Sequence, residues 1–588
     1  MQTKQDKIQM LKELDENEQN ELMSKYAYLF ENSCYTIKDN NLYRSNSNEE
    51  KYLGNFFIKA EAETIKDNGI DKDRYLTLTP ICEGVELETV SIPYKEFTGQ
   101  QFLSAWGVAL RPAVGQTNLE YYRDSVKCQS GLMQKRVIYG HTGWRKNKDK
   151  WIFLHAGGAL NDSNIEVSLD NRLSNYAISV NDSDEKYDTL KKLLQVAPKH
   201  IIYPLISIAF LSPLNEFFRQ ANCEPGMLLY LLGVTGVMKT TLASLTLCFF
   251  GDFYNKCLPA SFKDTVNSLE KQAFLLKDVL VAIDDFYPSG NKKEADKMHS
   301  TAQAVSRSYG DRTGRGRMNA DTSLRQSYYA RGNAIITGED LPNIGQSGIS
   351  RNFIVEIKKG DVDKAPLTEI QENAEHLSMC MREFILWLAP NCDTLPGRLK
   401  EQFKKERDAF KSNGHGRTTE AAAHLNIAFE YFLMFLISEG ALTKEDAENM
   451  AKDNRELLLE LADEQNKRNE QEKPTVLFIE ALKELIVSDS VFICDTSVHT
   501  PPNGFIGYKD ELYYYLTPGL TYNNVLGYFQ RQGRNFPISK SSLLNHLAIE
   551  GLIYTEGQEN TKVRKIRGKP QRFIWLKASV LENDTAPG

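Results

Sequence analysis

The residues Gly233-Val234-Thr235-Gly236-Val237-Met238-Lys239-Thr240 have the form G-x-x-x-x-G-K-[ST] with one departure, Met238 at the last glycine. They follow the apolar run Met227–Leu232 and precede a helix predicted over Thr241–Phe249. A strand, a glycine loop and a helix that opens on Lys-Thr make the layout of a phosphate-binding loop. Glycine lets backbone N–H groups turn onto phosphate oxygens, the helix start adds a favourable partial charge, and lysine neutralises the outer phosphates. The expected cradle is Gly233 to Thr241, with Thr240 also on Mg²⁺. Such an octamer also arises by chance, and Met238 leaves room for an inactive loop.

Asp284 lies 44 residues after Thr240, in Asp278-Val-Leu-Val-Ala-Ile-Asp284-Asp285. An apolar run ending in two acids reads as a buried parallel strand reaching its carboxyl edge, where open α/β sheets bind ligands. Asp284 is the candidate Mg²⁺ ligand. Asp285 stands where such ATPases carry Glu to orient the attacking water, one methylene shorter. An acidic loop after a core strand is the plain alternative. Asn333-Ala-Ile-Ile-Thr337 is a second short strand, with Thr337 as a candidate γ-phosphate sensor. Arg351, just before a strand predicted from Asn352, suits a finger that reaches a neighbouring subunit's nucleotide. Arg417 heads a helix with a capping-box-like Thr418/Glu420 start and suits a second sensor. A lone arginine is more often a solvated surface group.

From Met227 to Ile357 the chain resembles the AAA+ core of MCM-like helicases. The step Ser350-Arg351-Asn352-Phe353 is similar to the Ser-Arg-Phe that carries their finger, and Arg417 sits where their second sensor does. A nearer likeness is to the Cch-type replication helicases of staphylococcal chromosomal cassettes, and it extends over nearly the whole chain. The resemblance implies an ATP- and Mg²⁺-dependent DNA helicase working as a ring, expected as a hexamer, in replication of a mobile element. A primase or polymerase partner is implied too. Met238 and Asp285 depart from the pattern, and the short Thr240–Asp284 spacing leaves little room for the helix-two insertion of MCM proteins.

With 588 residues the chain is long enough for several domains. Its net charge of −7 requires any nucleic-acid contact to come from local basic patches. Nine scattered cysteines, with no C-x-x-C, argue for reduced thiols and against zinc. The polar start shows no signal-peptide pattern, and Ile201–Pro213 is too short to span a bilayer, so the expected setting is cytoplasmic with no membrane partner. The expected organisation is an α/β protein in five parts. Residues 1–50 form a polar helix and an Asn/Ser-rich stretch. Residues 51–190 form an α+β N-terminal domain, with strands near 55–65, 75–81 and 150–154, a helix near 100–110, and an aromatic cluster at Tyr121, Tyr122 and Trp144 that reads as core. Residues 191–360 form the ATPase core, 361–473 a helical lid and charged linker, and 474–588 a winged helix.

Two basic segments are candidates for DNA. The first holds Arg307, Arg312, Arg315, Arg317, Arg325 and Arg331. Within it Gly314–Met318 and Ser323–Tyr329 would form a hairpin, with Arg315 and Arg317 gripping phosphates in a ring's pore; a solvated arginine loop is the alternative. In the second, Ser539 would cap a recognition helix carrying Lys540, with Leu543, Leu544, Leu547 and Ile549 inward. Lys562, Arg564, Lys565, Arg567 and Lys569 would form a wing tip. Such modules also bind proteins. The resemblance, together with these residues, implies a ring helicase that translocates on single-stranded DNA and unwinds duplex. The alternatives are an AAA+ initiator or loader that remodels DNA without processive unwinding, and a nucleotide-gated scaffold that no longer hydrolyses.

Overall fold

The structure, a computed structural model, describes residues 25–582 apart from 47–48, 100–101, 255–257, 289, 315, 319–323, 326, 411–415, 499, 558 and 567. The chain divides into two compact units, one of residues up to 141 plus 154–174, the other of 142–153 plus 175 onward.

The first unit is built on two long antiparallel strands, Phe56–Asp67 and Lys72–Cys82, in a six-stranded sheet, beside a three-stranded sheet over residues 35–54. Tyr122 is fully buried and stacks on Phe56 at 4.2 Å between ring centres. Its hydroxyl donates to the Phe56 carbonyl at 3.0 Å, so a buried polar atom is satisfied. Tyr121 instead lies under two cations, Arg44 at 4.3 Å and Lys51 at 5.2 Å. The expected break at residue 50 falls inside one core, because Tyr26, Phe30, Tyr35 and Leu42 pack with Phe56 and Phe57. Most of the polar helix expected from Met1 to Phe30 lies outside the described residues; its described end, residues 25–30, is helical and closes on a 3-10 turn, Tyr28–Phe30. No α-helix forms among the described residues near 100–110, only the turn Ser104–Trp106.

In the second unit the apolar helix α1 (Lys199–Leu211) is buried from Ile201 to Leu211 despite Pro204. A parallel five-stranded sheet follows: β1 (Leu228–Leu232), β2 (Ala260–Ser261), β3 (Leu280–Phe286), β4 (Asn333–Gly338) and β5 (Asn352–Glu356). Their order is β2-β3-β4-β1-β5, which puts β1 between β4 and β5. Continuous apolar runs suit strands covered on both faces; β4 is buried at every residue. Helix α2 (Lys239–Leu247) follows β1, and α3 (Lys292–Asp311) lies between β3 and β4. Beyond β5 the chain is helical, including α4 (Gly416–Ser438) and α5 (Lys444–Gln471). The segments Lys199–Gln220 and Gly416–Ser438 are long and apolar enough to cross a bilayer, but 100% and 78% of their apolar windows are buried inside the protein. The expected linker over 463–473 does not exist. Residues 463–471 continue α5, and Pro474 opens the next helix after only Glu472 and Lys473.

The final residues form helices α6 (Pro474–Val487), α7 (Pro518–Arg531) and α8 (Lys540–Ile549). Strands β6 (Phe492–Asp495), β7 (Phe505–Lys509), β8 (Tyr513–Leu516), β9 (Lys562–Ile566) and β10 (Lys569–Lys577) make a sheet of order β6-β7-β8-β10-β9. Ser539 caps α8 by accepting from the Ser542 N–H at 3.3 Å. Leu543, Leu544 and Leu547 are buried as expected, but Ile549 is 83% exposed. At Leu552–Tyr554 there is an isolated bridge, Ile553 to Leu576, rather than a strand.

A strand at Gly143–Asn147 is pinned to the sheet by buried charge. The Trp144 N–H donates to Asp278 at 2.9 Å, and its indole donates to the Pro213 carbonyl at 2.7 Å. Lys277 pairs with both Asp278 and Glu216, at 2.5 Å and 3.1 Å. Burial pushes the Asp278 carboxyl up, against the pull of Lys277. Gly143 has φ +89°, and a Cβ there would stand 2.4 Å from the Lys277 carbonyl. Gly143→Ala therefore combines backbone strain with overpacking. It should cost roughly 2 kcal/mol or more, read by chemical unfolding; an unchanged midpoint would show that the hairpin is not anchored there.

Candidate functional site

At the carboxyl edge of the sheet, β1 passes through Gly233–Met238 into α2. A Cβ on Gly233 would lie 2.4 Å from the Ile357 carbonyl, so that position lacks room for a side chain. Gly236 has room but a φ of +86°. Met238 takes φ 69° and ψ 23°, the left-handed conformation that the motif normally gives to glycine. The departure thus changes the residue and keeps the turn, at a strain of about 1 kcal/mol. Lys239 folds back onto the loop, donating to the carbonyls of Gly233 at 2.6 Å and Val234 at 2.9 Å. Partial burial lowers its pKa, and Glu339, Asp284 and Asp285 oppose that.

The acidic pair sits at a bulge. In the β3–β4 ladder Ile283 pairs with Ile336 and Phe286 with Gly338, so Asp284 and Asp285 together face Thr337. Two residues against one re-aims both acids. Asp284 Oδ1 accepts from the Thr240 hydroxyl at 2.9 Å and the Thr337 hydroxyl at 2.5 Å. Thr337 Oγ1 in turn accepts from the Asp285 N–H at 3.1 Å. Asp285 has φ 67° and an exposed carboxylate, 3.6 Å from Lys263. Thr235 also hydrogen-bonds Glu339. Sequence reasoning picked out Lys239, Thr240, Asp284, Asp285 and Thr337, and the fold brings them to one edge. It missed Glu339, which no motif marks. Beside the loop opens a cavity of about 770 Å³, whose lining includes Gly233, Val234, Glu356, Lys358, Glu472 and Arg534.

The two candidate arginines lie elsewhere. Arg351 precedes β5, and its carbonyl accepts from the Leu228 N–H at 2.9 Å, at the amino end of β1. Four residues of strand, roughly 13 Å, separate that end from Leu232, where the loop begins. Arg351 is 7% exposed. Its Nε and Nη2 donate to Asp311 at 2.9–3.0 Å, and Nη1 to Ser347, including Oγ at 2.9 Å. Arg417 Nη2 donates to the same Asp311 oxygen at 3.0 Å and Nη1 to the Gly310 carbonyl at 3.1 Å. Burial would raise the Asp311 pKa, but the two guanidiniums hold it below the usual carboxylate range. A Cβ on Gly310 would meet the Arg351 stem at 2.4 Å, so glycine makes the room. Thr418 is buried within the first turn of α4, inside the helix and away from the expected cap. Asp311 and Gly310 carry no sequence signal that would single them out.

The basic segment before β4 divides. Arg312 is buried and donates to the carbonyls of Pro225, Ala330 and Gly332, and Arg331 lies 3.8 Å over the Phe274 ring and donates to its carbonyl. Both are structural, although they belong to the basic segment taken as a candidate for DNA. A short antiparallel pair, Arg317–Met318 with Leu324–Arg325, occupies the expected hairpin. Arg315 and the turn lie outside the described residues, and Arg317 is described by its backbone alone.

Residues 85–321, less than half the chain, match a family described as a domain of unknown function, DUF927. Comparison with curated proteins gives no match. The solved structure of SCCmec type IV Cch, described as an active helicase, aligns over 94% of this chain and 99% of that one, at TM-score 0.60 and 13% identity. The likeness shows a shared mixed α/β fold along nearly the whole length. The NrS-1 C-terminal region (TM-score 0.24, 12% identity, 66% of this chain and 85% of that one) aligns too loosely to carry an argument. The same holds for inhibitor-bound JCV helicase (TM-score 0.19, 14% identity, 42% and 71%).

In the C-terminal module Lys540 is exposed on α8. Lys562 and Arg564 are not at a wing tip. They lie along β9, where Lys562 pairs with Glu556 at 2.7 Å and Arg564 with Asp510 at 2.9 Å. Lys565 is exposed, and Arg567 lies outside the described residues. Burial would raise the Asp510 pKa. Hydrogen bonds from Tyr515, Arg564 and the N–H groups of Tyr513 and Leu512 outweigh this and hold it at about 2. A depressed carboxylate stabilises above its unfolded pKa and loses that contribution as pH falls through the folded one. The module should therefore weaken between about pH 4 and pH 2, and Asp510→Asn should flatten that part of the melting-temperature profile. An unchanged profile would show that the Asp510 cluster contributes nothing.

At the loop, Met238→Gly should retain nucleotide binding, because the turn is already left-handed. Met238→Val, β-branched at positive φ, should weaken binding of a fluorescent ATP analogue at least tenfold. Equal binding by both variants would show that this turn does not matter.

Proposed function

We propose that this chain is an ATP-dependent AAA+ DNA helicase of MCM-like type, acting as a ring of identical subunits, expected as a hexamer, on single-stranded and duplex DNA. One observation carries the reading. Lys239, Thr240, Asp284 and Thr337 share the carboxyl edge of the sheet, whereas Arg351 and Arg417 converge on Asp311 at its amino edge. A strand's length from their own loop, the arginines are better placed for a neighbour's nucleotide than for their own.

The residues fit the group they would hold. Gly233 to Thr241 offer backbone N–H groups and a cation to phosphates, and the hydroxyl and carboxylate oxygens of Thr240 and Asp284 suit Mg²⁺, which would neutralise phosphate charge when bound. Lys239 would leave its two loop carbonyls for phosphate oxygens. Thr337 would hold Asp284 in place and sense the terminal phosphate. Asp285 would orient water from its exposed position, and its short side chain predicts slow turnover. Arg351 and Arg417 would exchange Asp311 for the terminal phosphate of the adjoining subunit. The mostly helical segment 361–473 fits a lid, and helices α6, α7 and α8 with the β9–β10 hairpin fit a winged helix. A role in replicating a mobile element, with a primase or polymerase partner, follows from the resemblance alone. The exposed, weakly paired Asp285 also supports a second reading, a nucleotide-gated DNA scaffold that does not turn over.

The test is complementation between defective subunits. Lys239→Ala and Arg351→Ala should each lower ATP hydrolysis at least a hundredfold. Co-expressed and co-purified, they should regain a measurable fraction, because a Lys239→Ala subunit still offers its finger to an intact loop. A mixed assembly as inactive as its parents would sink the shared site, and an inactive wild type would favour the scaffold.

A further inference from the structure

The C-terminal sheet has two unlike faces. Tyr514 and Leu516 of β8 and Ile574 and Leu576 of β10 point under helices α6, α7 and α8. Their neighbours Tyr515 and Phe573 form a separate cluster on the other face, with Tyr513 and Trp575 half-buried at its surface. Tyr554, 36% exposed, completes it. Trp575 lies at the centre, 5.0 Å from Tyr515, 5.6 Å from Tyr513 and 5.7 Å from Tyr554.

Cations lie on these rings. Arg564 is 3.8 Å from the centre of Tyr515, and Lys562 is 4.8 Å from Tyr554 and 5.3 Å from Trp575. The register explains this: Lys562 pairs with Phe573 and Arg564 with Gln571, so both share the aromatic face. From Lys562 to Lys577 the hairpin carries seven basic residues and no acidic one, in a chain of net charge −7. Helix α8, by contrast, exposes a single formal cation, Lys540, beside the polar Ser541, Asn545 and His546, and ends on exposed Ile549 and Glu550. One cation is little charge to set against a duplex backbone.

We infer that the aromatic face of β8, β9 and β10 is a binding platform for single-stranded nucleic acid. Bases would stack on Tyr554, Tyr513 and Trp575, and the hairpin cations would follow the phosphates. Rings with interleaved cations on an open sheet face suit unpaired bases, whose faces are free, and not a duplex, whose bases are stacked. The inference rests on the nucleic-acid part of the proposed function and is independent of the nucleotide part.

The experiment is fluorescence anisotropy of a labelled thirty-nucleotide oligo-dT with the full chain, with thermal melting of each variant. Tyr554→Ala should weaken binding at least fivefold, Tyr554→Phe should restore it, and Lys562→Ala should weaken it and reduce its salt dependence. Trp575→Phe should remove an oligo-dT-induced quench of tryptophan emission. Lys540→Ala should matter less than Tyr554→Ala. Wild-type affinity in folded Tyr554→Ala and Lys562→Ala, as for a face that serves a protein partner, overturns the inference; so does equal competition by unlabelled duplex. Normal oligo-dT binding by Tyr554→Ala, beside a wild type that hydrolyses ATP, removes this inference alone. Weakened binding beside a wild type without turnover removes the motor reading alone.

Discussion

One carboxylate oxygen ties the sheet's carboxyl edge together. Asp284 Oδ1 accepts from Thr240, which opens α2, and from Thr337, which closes β4. Three elements that diverge in sequence are thereby fixed within hydrogen-bond reach. The contact depends on the bulge in β3, because a regular strand would send alternate side chains to opposite faces. It also depends on the left-handed Met238, which aims the first turn of α2 at that oxygen. Charge-assisted hydrogen bonds of this kind are stronger than neutral ones, and on the proposed reading they are the bonds a bound cation would replace.

The opposite edge is organised by the same economy, a single acid with two donors. Asp311 ends α3 and receives Arg351 from before β5 and Arg417 from the head of α4. Neighbouring Arg312 fixes that end of α3 by donating to the Pro225 and Gly332 carbonyls. Gly310 gives the Arg351 stem its space. A short Gly-Asp-Arg run thus positions two arginines that are 66 residues apart in the chain.

Much of this was legible in the sequence where local pattern and local structure coincide. The apolar runs gave β1, β3 and β4 their places, and the loop motif located Lys239 and Thr240. The fold also accounts for Pro204 inside a helix, because α1 is held by burial. What could not be read depended on distant partners. Arg312 and Arg331 resemble the other arginines of their segment, and only tertiary carbonyls and a ring make them structural. Lys562 and Arg564 looked like a wing tip because strand β9 is short and polar; pairing with β10 puts them on a sheet face. Asp311 is one acid among many until two arginines reach it.

The full engagement of Arg351 has a stoichiometric side. Asp311 and Ser347 of its own chain meet its donors. On the proposed reading, a solitary subunit holds a complete phosphate loop and a complete pair of arginines, and still has no working centre. Working centres then count junctions between subunits. An open row has one fewer junction than it has subunits, and closure into a ring adds the last one. Closing the circle would raise output per subunit without changing a single residue, and a subunit lost from the ring would remove two centres at once while the gap stayed open.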